Sequence, residues 1–549
     1  MNGEVSGSGT VPAQPAAMSG PADAAPLRIG DLLRPQAFPH AVSALRLRET
    51  HVSWVVLTGR FAYKIKKPVR FPFIDATTLA QRLHFCREEL RLNRRLAPEL
   101  YLDVVPVTRA DGCAMIDGPG PVIDYAVRMR QFGEADEMPS LLEEGAVSVG
   151  DCSALGELLA RFHRSVSVDA WTGGYGHTGH MHESILGNLA QLADSNTQPA
   201  VAPMLERLAD WMRDRVTQLD PALRRRERSG FVRECHGDLH CGNIVRSLGR
   251  LTPFDCIEFD PRLRWIDVMN DVAFLVMDLF SRRRAGLAMA MLSQYLETSG
   301  DYQGVRLLPF YATHRALVRA LVDRLSAEQL PARADEFRRR MRERIEAAAS
   351  WTGRPAPALL LMHGLSGSGK SWLSERLVPA VPAIRLRSDV ERKRLAGLQP
   401  AVSSAAPLRQ GLYAHACTRR TYRRLAGCAA ICLRAGFHVI VDATFLEAKD
   451  REVFAALAER LNAPSLLLSC HADPETLEQR IRKRAMCATD ASDADLDVLA
   501  AQLQSAQPLS STERARALLI DTSEPEVAER VAAAVQARLA CFPGTEPRR

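Results

Sequence analysis

The run ALLLMHGLSGSGKSWLSERL, from Ala358 to Leu377, constrains this chain more than any other stretch. An apolar strand leads into a glycine loop, and a helical pattern follows at once. Gly364, Gly369, Lys370 and Ser371 fit G-x-x-x-x-G-K-[ST], with Gly367 between them and Trp372 directly after. Glycines let main-chain amides wrap around phosphate oxygens, and a helix N-terminus adds favourable partial charge. In that layout Lys370 neutralises the outer phosphates of a nucleotide, and the Ser371 hydroxyl ligates magnesium. The rhythm of strand, loop, helix and strand predicts an α/β domain with a parallel sheet over residues 358–540.

At 549 residues the chain is too long for one ordinary core. Its 46% apolar and 25% charged residues are the balance of a soluble globular protein. No uncharged apolar run approaches bilayer length, so no membrane partner is expected. The Ala-, Pro-, Gly- and Ser-rich start lacks the basic and apolar regions of a signal peptide, and residues 1–27 read as a disordered tail. The twelve cysteines are scattered without a C-x-x-C pair, which argues against a zinc site or a disulfide framework and for a cytoplasmic setting.

The net charge is +7, yet only seven of the 71 basic residues are lysine. A lysine beside a glycine loop or inside a strand is therefore not explained by general basicity. Arginines such as Arg338, Arg339, Arg340, Arg342 and Arg344 fall at helical spacings beside acids and read as solvated helix faces. A nucleic-acid partner is the minor reading, because no aromatic platform accompanies the charge.

Upstream, Val52–Lys66 reads as two strands joined at Thr58-Gly59, followed by a helix over Leu79–Leu96. Leu102–Val107 and Val122–Met129 read as further strands, separated by a turn at Asp117–Gly120. Residues 154–350 are mostly helical, interrupted near Gly173–His182 and at Phe231–Phe259. A small mixed part before a larger helical one predicts a two-lobed, kinase-like α+β domain over residues 28–350. Trp351–Pro357 reads as a linker between two cores that fold separately. His177, His180, His182 and Glu183 cluster, but they lack cysteine partners or an H-E-x-x-H register, and no metal is assigned to them.

Three further stretches accompany the glycine loop. A strand in IRLRSDVER ends at Ser388-Asp389, with Arg392 three residues on; FHVIVDATF is a buried strand reaching Asp442; and PETLEQRIRKR is a helix with Arg480 and Arg484 on one face. Together these resemble small P-loop kinases of the polynucleotide-kinase, gluconate-kinase and zeta-toxin type. The resemblance implies Asp389 as acceptor of the substrate hydroxyl proton, Arg392 as holder of a substrate anion, and Asp442 near the magnesium shell. It also implies Arg480 and Arg484 as a lid over the transferring phosphoryl group.

In the first part, CHGDLHCGNI contains H-G-D-x-x-x-x-N, similar to the catalytic loop of aminoglycoside phosphotransferases and choline-kinase-like enzymes. The likeness implies Asp238 as the group that orients or deprotonates the attacking hydroxyl and Asn243 as a magnesium ligand, with His236 bracing the loop. The second magnesium acid lies in PFDCIEF, where Asp255 is favoured over Glu258 by its distance from Asn243. Downstream, Asp267 and Asp271 resemble the acidic pair that buttresses this loop. In AYKIK, Lys64 matches the lysine that holds α- and β-phosphates, with Lys66 on the same face. Glu88 or Glu89 is its ion-pair partner, and Glu88 matches the family spacing to Arg91-Leu92.

The order of the halves resembles a bacterial family described as bifunctional aminoglycoside phosphotransferase/ATP-binding proteins. That implies magnesium and ATP, with GTP left open, a nucleotide and a small hydroxylated molecule as partners, and phosphoryl transfer as the reaction. A nucleotide sensor with a non-catalytic kinase-like half, or a polynucleotide 5′-end kinase, is the alternative. Neither acceptor nor oligomeric state follows from the sequence.

Overall fold

The computed structural model describes residues 26–71, 74–166, 168, 178–193, 201–353, 356–398, 415–487, 492 and 494–542. The tail expected over residues 1–27 lies outside these except for Pro26 and Leu27, as does His177. By packing, the chain forms two compact units: Met1–Arg94 with Pro98–Gln131, and Arg95–Ala97 with Phe132–Arg549.

The first unit is built on β1 (Arg46–Glu49), β2 (Ser53–Leu57) and β3 (Phe61–Lys66), the short pair β4 (Arg70–Phe71) and β5 (Ile74–Asp75), and helix α1 (Leu79–Asn93). Strands β6 (Tyr101–Ala110), β7 (Cys113–Ile116) and β8 (Val122–Arg130) complete an antiparallel sheet in the order β1-β2-β3-β8-β6-β7. Thr78 and Gln81 form a reciprocal capping box that starts α1. Val56, Tyr63, Ile65, Val105 and Val107 form the apolar face of the sheet.

The second unit begins with α2 (Met138–Glu143), α3 (Val149–Ser165), α4 (Thr178–Ala193) and α5 (Ala202–Arg228). Strand β9 (Val232–Glu234), the hairpin β10 (Ile244–Ser247) and β11 (Arg250–Pro253), α6 (Pro261–Arg264) and β12 (Trp265–Asp267) follow. Helices α7 (Val268–Ser281), α8 (Ala285–Ser299), α9 (Leu308–Gln329) and α10 (Ala334–Ser350) come next. Then β13 (Leu359–His363), α11 (Lys370–Ala380), β14 (Ala383–Arg387), α12 (Ser388–Leu395) and α13 (His415–Arg434) lead to β15 (His438–Asp442). The unit closes with α14 (Ala448–Arg460), β16 (Ser465–His471), α15 (Pro474–Cys487), α16 (Leu496–Ser505), α17 (Ser511–Arg516), β17 (Leu518–Asp521) and α18 (Val527–Ala540).

Strands β13 to β17 make one wholly parallel sheet in the order β14-β15-β13-β16-β17. The strands are near-continuous apolar runs because helices cover both faces. One apolar core runs from Met138 to Leu539, through the helices before residue 351 and the sheet after it. Trp351, the first residue of the expected linker, is buried in that core, its ring 5.0 Å from Phe280 and 6.5 Å from Phe437. Helix α8 packs against α11 so closely that a Cβ on Gly286 would lie 2.5 Å from the Pro379 carbonyl oxygen. Among the described residues no helix is long and apolar enough to cross a membrane.

Candidate active site

The glycine loop leaves β13 at its C-terminal end and closes at the first turn of α11. Gly364 has φ +137°, and a Cβ there would sit 2.3 Å from the Cys470 carbonyl oxygen, so no other residue fits the turn. Lys370 is buried as the first residue of α11; its Nζ donates to Leu365 O at 2.6 Å and reaches Ser368 Oγ at 3.5 Å. Burial pushes its pKa down, while Asp442 and Asp389 work against that fall. Beside the loop opens a cleft of about 290 Å³, lined in part by His363, Leu365, Ser469 and Leu477. Trp372 turns its indole to solvent, with the Arg376 guanidinium 4.3 Å from the ring centroid.

Asp442 ends β15, buried, and accepts a hydrogen bond from Ser374 Oγ at 3.2 Å; that hydroxyl also lies 3.1 Å from Ser371 O. Ser371 and Asp442 are thus joined through Ser374. Asp389, in the first turn of α12, pairs with Arg392 one turn along the same helix at 2.9 Å. Arg480 donates to Gly367 O at 3.3 Å and to both oxygens of Thr522, at 2.8 and 3.0 Å, which fixes it against the loop. Arg484 donates to Ala494 O instead. One contact left no mark in the sequence pattern: Gln502 on α16 accepts from Ser366 N at 2.8 Å.

The second constellation lies on the loop between β9 and β10. Asn243 Nδ2 donates to Asp238 Oδ2 and to Asp238 O, both at 3.0 Å, so the two residues are locked together. Burial raises the Asp238 pKa, but His240, Arg319 and His236 outweigh it and hold the carboxyl below the ordinary range. His236 bonds to Phe254 O at 2.9 Å and braces the loop. Phe254 N donates to Asn243 O at 2.9 Å, which sets the neighbouring Asp255 next to the loop in a left-handed conformation, φ +65°. Glu258 is buried, and its carbonyl accepts from Arg264 at 3.1 Å.

The acidic pair that buttresses the loop differs from the expected one. Asp271 accepts from His236 N at 3.0 Å and Gly237 N at 2.9 Å, and lies 3.2 Å from His163 Nε2. Its companion is Asp278, which accepts from Cys241 N at 3.0 Å and pairs with Arg282 and Arg344. Asp267 instead caps α7 through Met269 N and pairs with Arg226 at 2.6 Å. Asp278 lies seven residues beyond Asp271, two turns along α7 on the same face, and that spacing was the available signal.

In the first unit Lys64 pairs with Glu89 at 2.8 Å, and Lys66 takes the other oxygen of the same carboxylate at 2.5 Å. The family spacing had favoured Glu88; that residue pairs with Arg91 at 2.8 Å on the outer face of α1.

Residues 75–308 match the Phosphotransferase enzyme family, and residues 359–509 match the AAA domain family. The uncharacterized protein Rv2004c of Mycobacterium tuberculosis is 30% identical over 458 residues, which cover 83% of this chain and 89% of that protein. Among solved structures, a choline/ethanolamine kinase family protein from Mesorhizobium loti is 14% identical, with 56% of this chain and 92% of that one covered and a TM-score of 0.34. A gluconokinase from Sinorhizobium meliloti is 22% identical, with 34% and 95% covered and a TM-score of 0.25. With both domain types matched in order and a relative aligned across most of both chains, this protein belongs to the bacterial family of bifunctional aminoglycoside phosphotransferase/ATP-binding proteins, and it is a phosphotransferase.

Proposed function

We propose that the protein transfers the γ-phosphoryl group of ATP to small hydroxylated acceptors, using two nucleotide sites on one chain. The observation that carries this reading is the locked Asp238–Asn243 pair, set on a loop whose amides are held by Asp271 and Asp278. Asp238, kept ionised by its basic neighbours, aligns the acceptor hydroxyl and takes its proton. Lys64 holds nucleotide phosphates, and Glu89 fixes its position. Asn243 and Asp255 would hold magnesium; an amide oxygen and a carboxylate are the oxygen donors such a cation takes.

In the second site Lys370 and the loop amides bind phosphate, while Ser371 and Asp442 would hold magnesium. Bound there, the cation neutralises charge on the phosphate oxygens. Asp389 accepts the hydroxyl proton, Arg392 holds an anionic group of the acceptor, and Arg480 closes over the loop. The test is a panel of hydroxylated metabolites, antibiotics and oligonucleotide ends with labelled ATP. It is run on the whole chain carrying either Lys370→Ala or Asp238→Asn. Label transfer lost in one variant and kept in the other assigns each acceptor to its site, and no transfer to any acceptor would leave nucleotide sensing as the better reading.

A further inference from the structure

The parallel sheet has an edge at β14, and α8, from the kinase-like part of the chain, covers it. Ser293 takes the place of a neighbouring strand: its hydroxyl donates to Ala383 O and accepts from Arg385 N, each at 3.2 Å. One turn further along α8, Glu297 reaches over the same strand. Its Oε1 accepts from Arg387 at 3.0 Å and its Oε2 from Arg385 at 3.4 Å. Both arginines continue into the phosphate machinery. Arg385 donates to Ser371 O at 3.4 Å, and Arg387 Nε stands 3.9 Å from Asp442 Oδ2. The main chain of Glu297 is held as well, since Arg394 of α12 donates to its carbonyl.

Arg387 therefore lies between two carboxylates and nearer to Glu297. The side chains of Glu297, Arg387 and Asp442 are only 10%, 16% and 4% exposed, so water screens these charges weakly. A guanidinium fully paired with Asp442 would neutralise that carboxylate and occupy the oxygens a divalent cation needs. We infer that Glu297 is a positioning residue of the P-loop site: it draws Arg387 off Asp442 and keeps that carboxylate open to magnesium. The inference rests on reading Asp442 as the magnesium-shell acid. It makes a residue of the kinase-like part a component of the other site. The same helix carries Tyr295, whose hydroxyl meets His163 at 3.0 Å, and His163 contacts Asp271 behind the catalytic loop.

The experiment uses the full chain with Lys64→Met and Asp238→Asn, which remove nucleotide binding and turnover at the kinase-like site, so that the P-loop site is read. Binding of a fluorescent ATP analogue and turnover are followed against magnesium concentration. Glu297→Gln raises the half-saturating magnesium roughly tenfold, the scale of one partly screened neighbouring charge. Adding Arg387→Gln to Glu297→Gln brings it back to within about twofold, because the competing cation is gone. Arg387→Gln alone lowers the requirement, which keeps the test decisive if Glu297→Gln does not fold. An unchanged requirement in Glu297→Gln, a rise that Arg387→Gln fails to relieve, or a rise in Arg387→Gln alone overturns the inference. Asp442→Asn separates the two levels: if it leaves the magnesium dependence untouched, the reading of Asp442 itself is wrong.

Discussion

Glu89 is shared by two lysines, but only Lys64 can serve a ligand: its side chain is 12% exposed, whereas Lys66 is fully buried. Lys66 supplies part of the charge that Glu89 needs, and under the proposed function Lys64 is the one that meets phosphate. Lys64→Met is expected to weaken Mg·ATP binding at the kinase-like site with little loss of stability. Lys66→Met is expected to lower stability by about 2–3 kcal/mol, as breaking into a buried charge cluster does. Calorimetric titration and denaturant melts distinguish the two, and equal effects in both assays would reverse the assignment.

The same cluster carries a pH signature. Burial would raise the Glu89 pKa, but the two lysines bring it to about 2, below the ordinary 4.5. A depressed carboxylate adds stability above the unfolded value and loses it as pH falls toward the folded one. Glu89→Gln is therefore expected to be less stable than the parent at pH 7, with the gap narrowing between pH 4.5 and 2. A gap that stays constant over that window would mean the ion pairs add nothing.

Asp238 and Asp255 have different proposed tasks, so their loss should differ in kind. In a Lys370→Ala background, Asp238→Asn is expected to lower kcat by about 10²-fold or more while ATP affinity stays close to the parent's. Asp255→Asn should instead raise the magnesium needed for ATP binding. Glu258→Gln is the comparison: a larger rise there moves the ligand role to Glu258.

Lys370→Ala should abolish turnover at the P-loop while the fold persists, since the ammonium bonds within its own loop, to Leu365 O and Ser368 Oγ. Retained turnover in a chain also carrying Asp238→Asn would refute the P-loop assignment.

His314 lies buried in α9, and burial together with Arg315 lowers its pKa to about 3. The folded state keeps this imidazole neutral, whereas the unfolded chain takes up a proton below about 6.5. Stability should therefore decline as pH drops from 6.5 toward 3, by up to about 1.4 kcal/mol per pH unit from this residue. His314→Gln should flatten that slope. Denaturation midpoints at pH 7.5, 6 and 5 measure it.

Much of the site geometry was legible because it is local. The glycine loop and H-G-D-x-x-x-x-N carry their geometry within a few residues of chain: the first runs from the end of β13 to the start of α11, the second spans the loop between β9 and β10. The choice between Glu88 and Glu89 was not local: one residue turns a helix face by about 100°, and only packing against β3 decides which carboxylate faces Lys64. Gln502 and Thr522 reach the loop from far along the chain, so no spacing rule marks them. The linker at 351–357 looked separable because Pro and Gly punctuate it. Sequence punctuation does not report that Trp351 is buried between Phe280 and Phe437.

Ser293 standing in for a strand has a consequence for how such a chain could have been assembled or could be rebuilt. Sheet edges attract other strands unless something covers them. Here the cover was brought by the preceding gene segment, so the phosphate-loop portion is no interchangeable cassette. Transplanted without the helices before residue 351, this portion would lose Ser293 and Glu297 from the β14 edge and leave that strand open to association with its own copies.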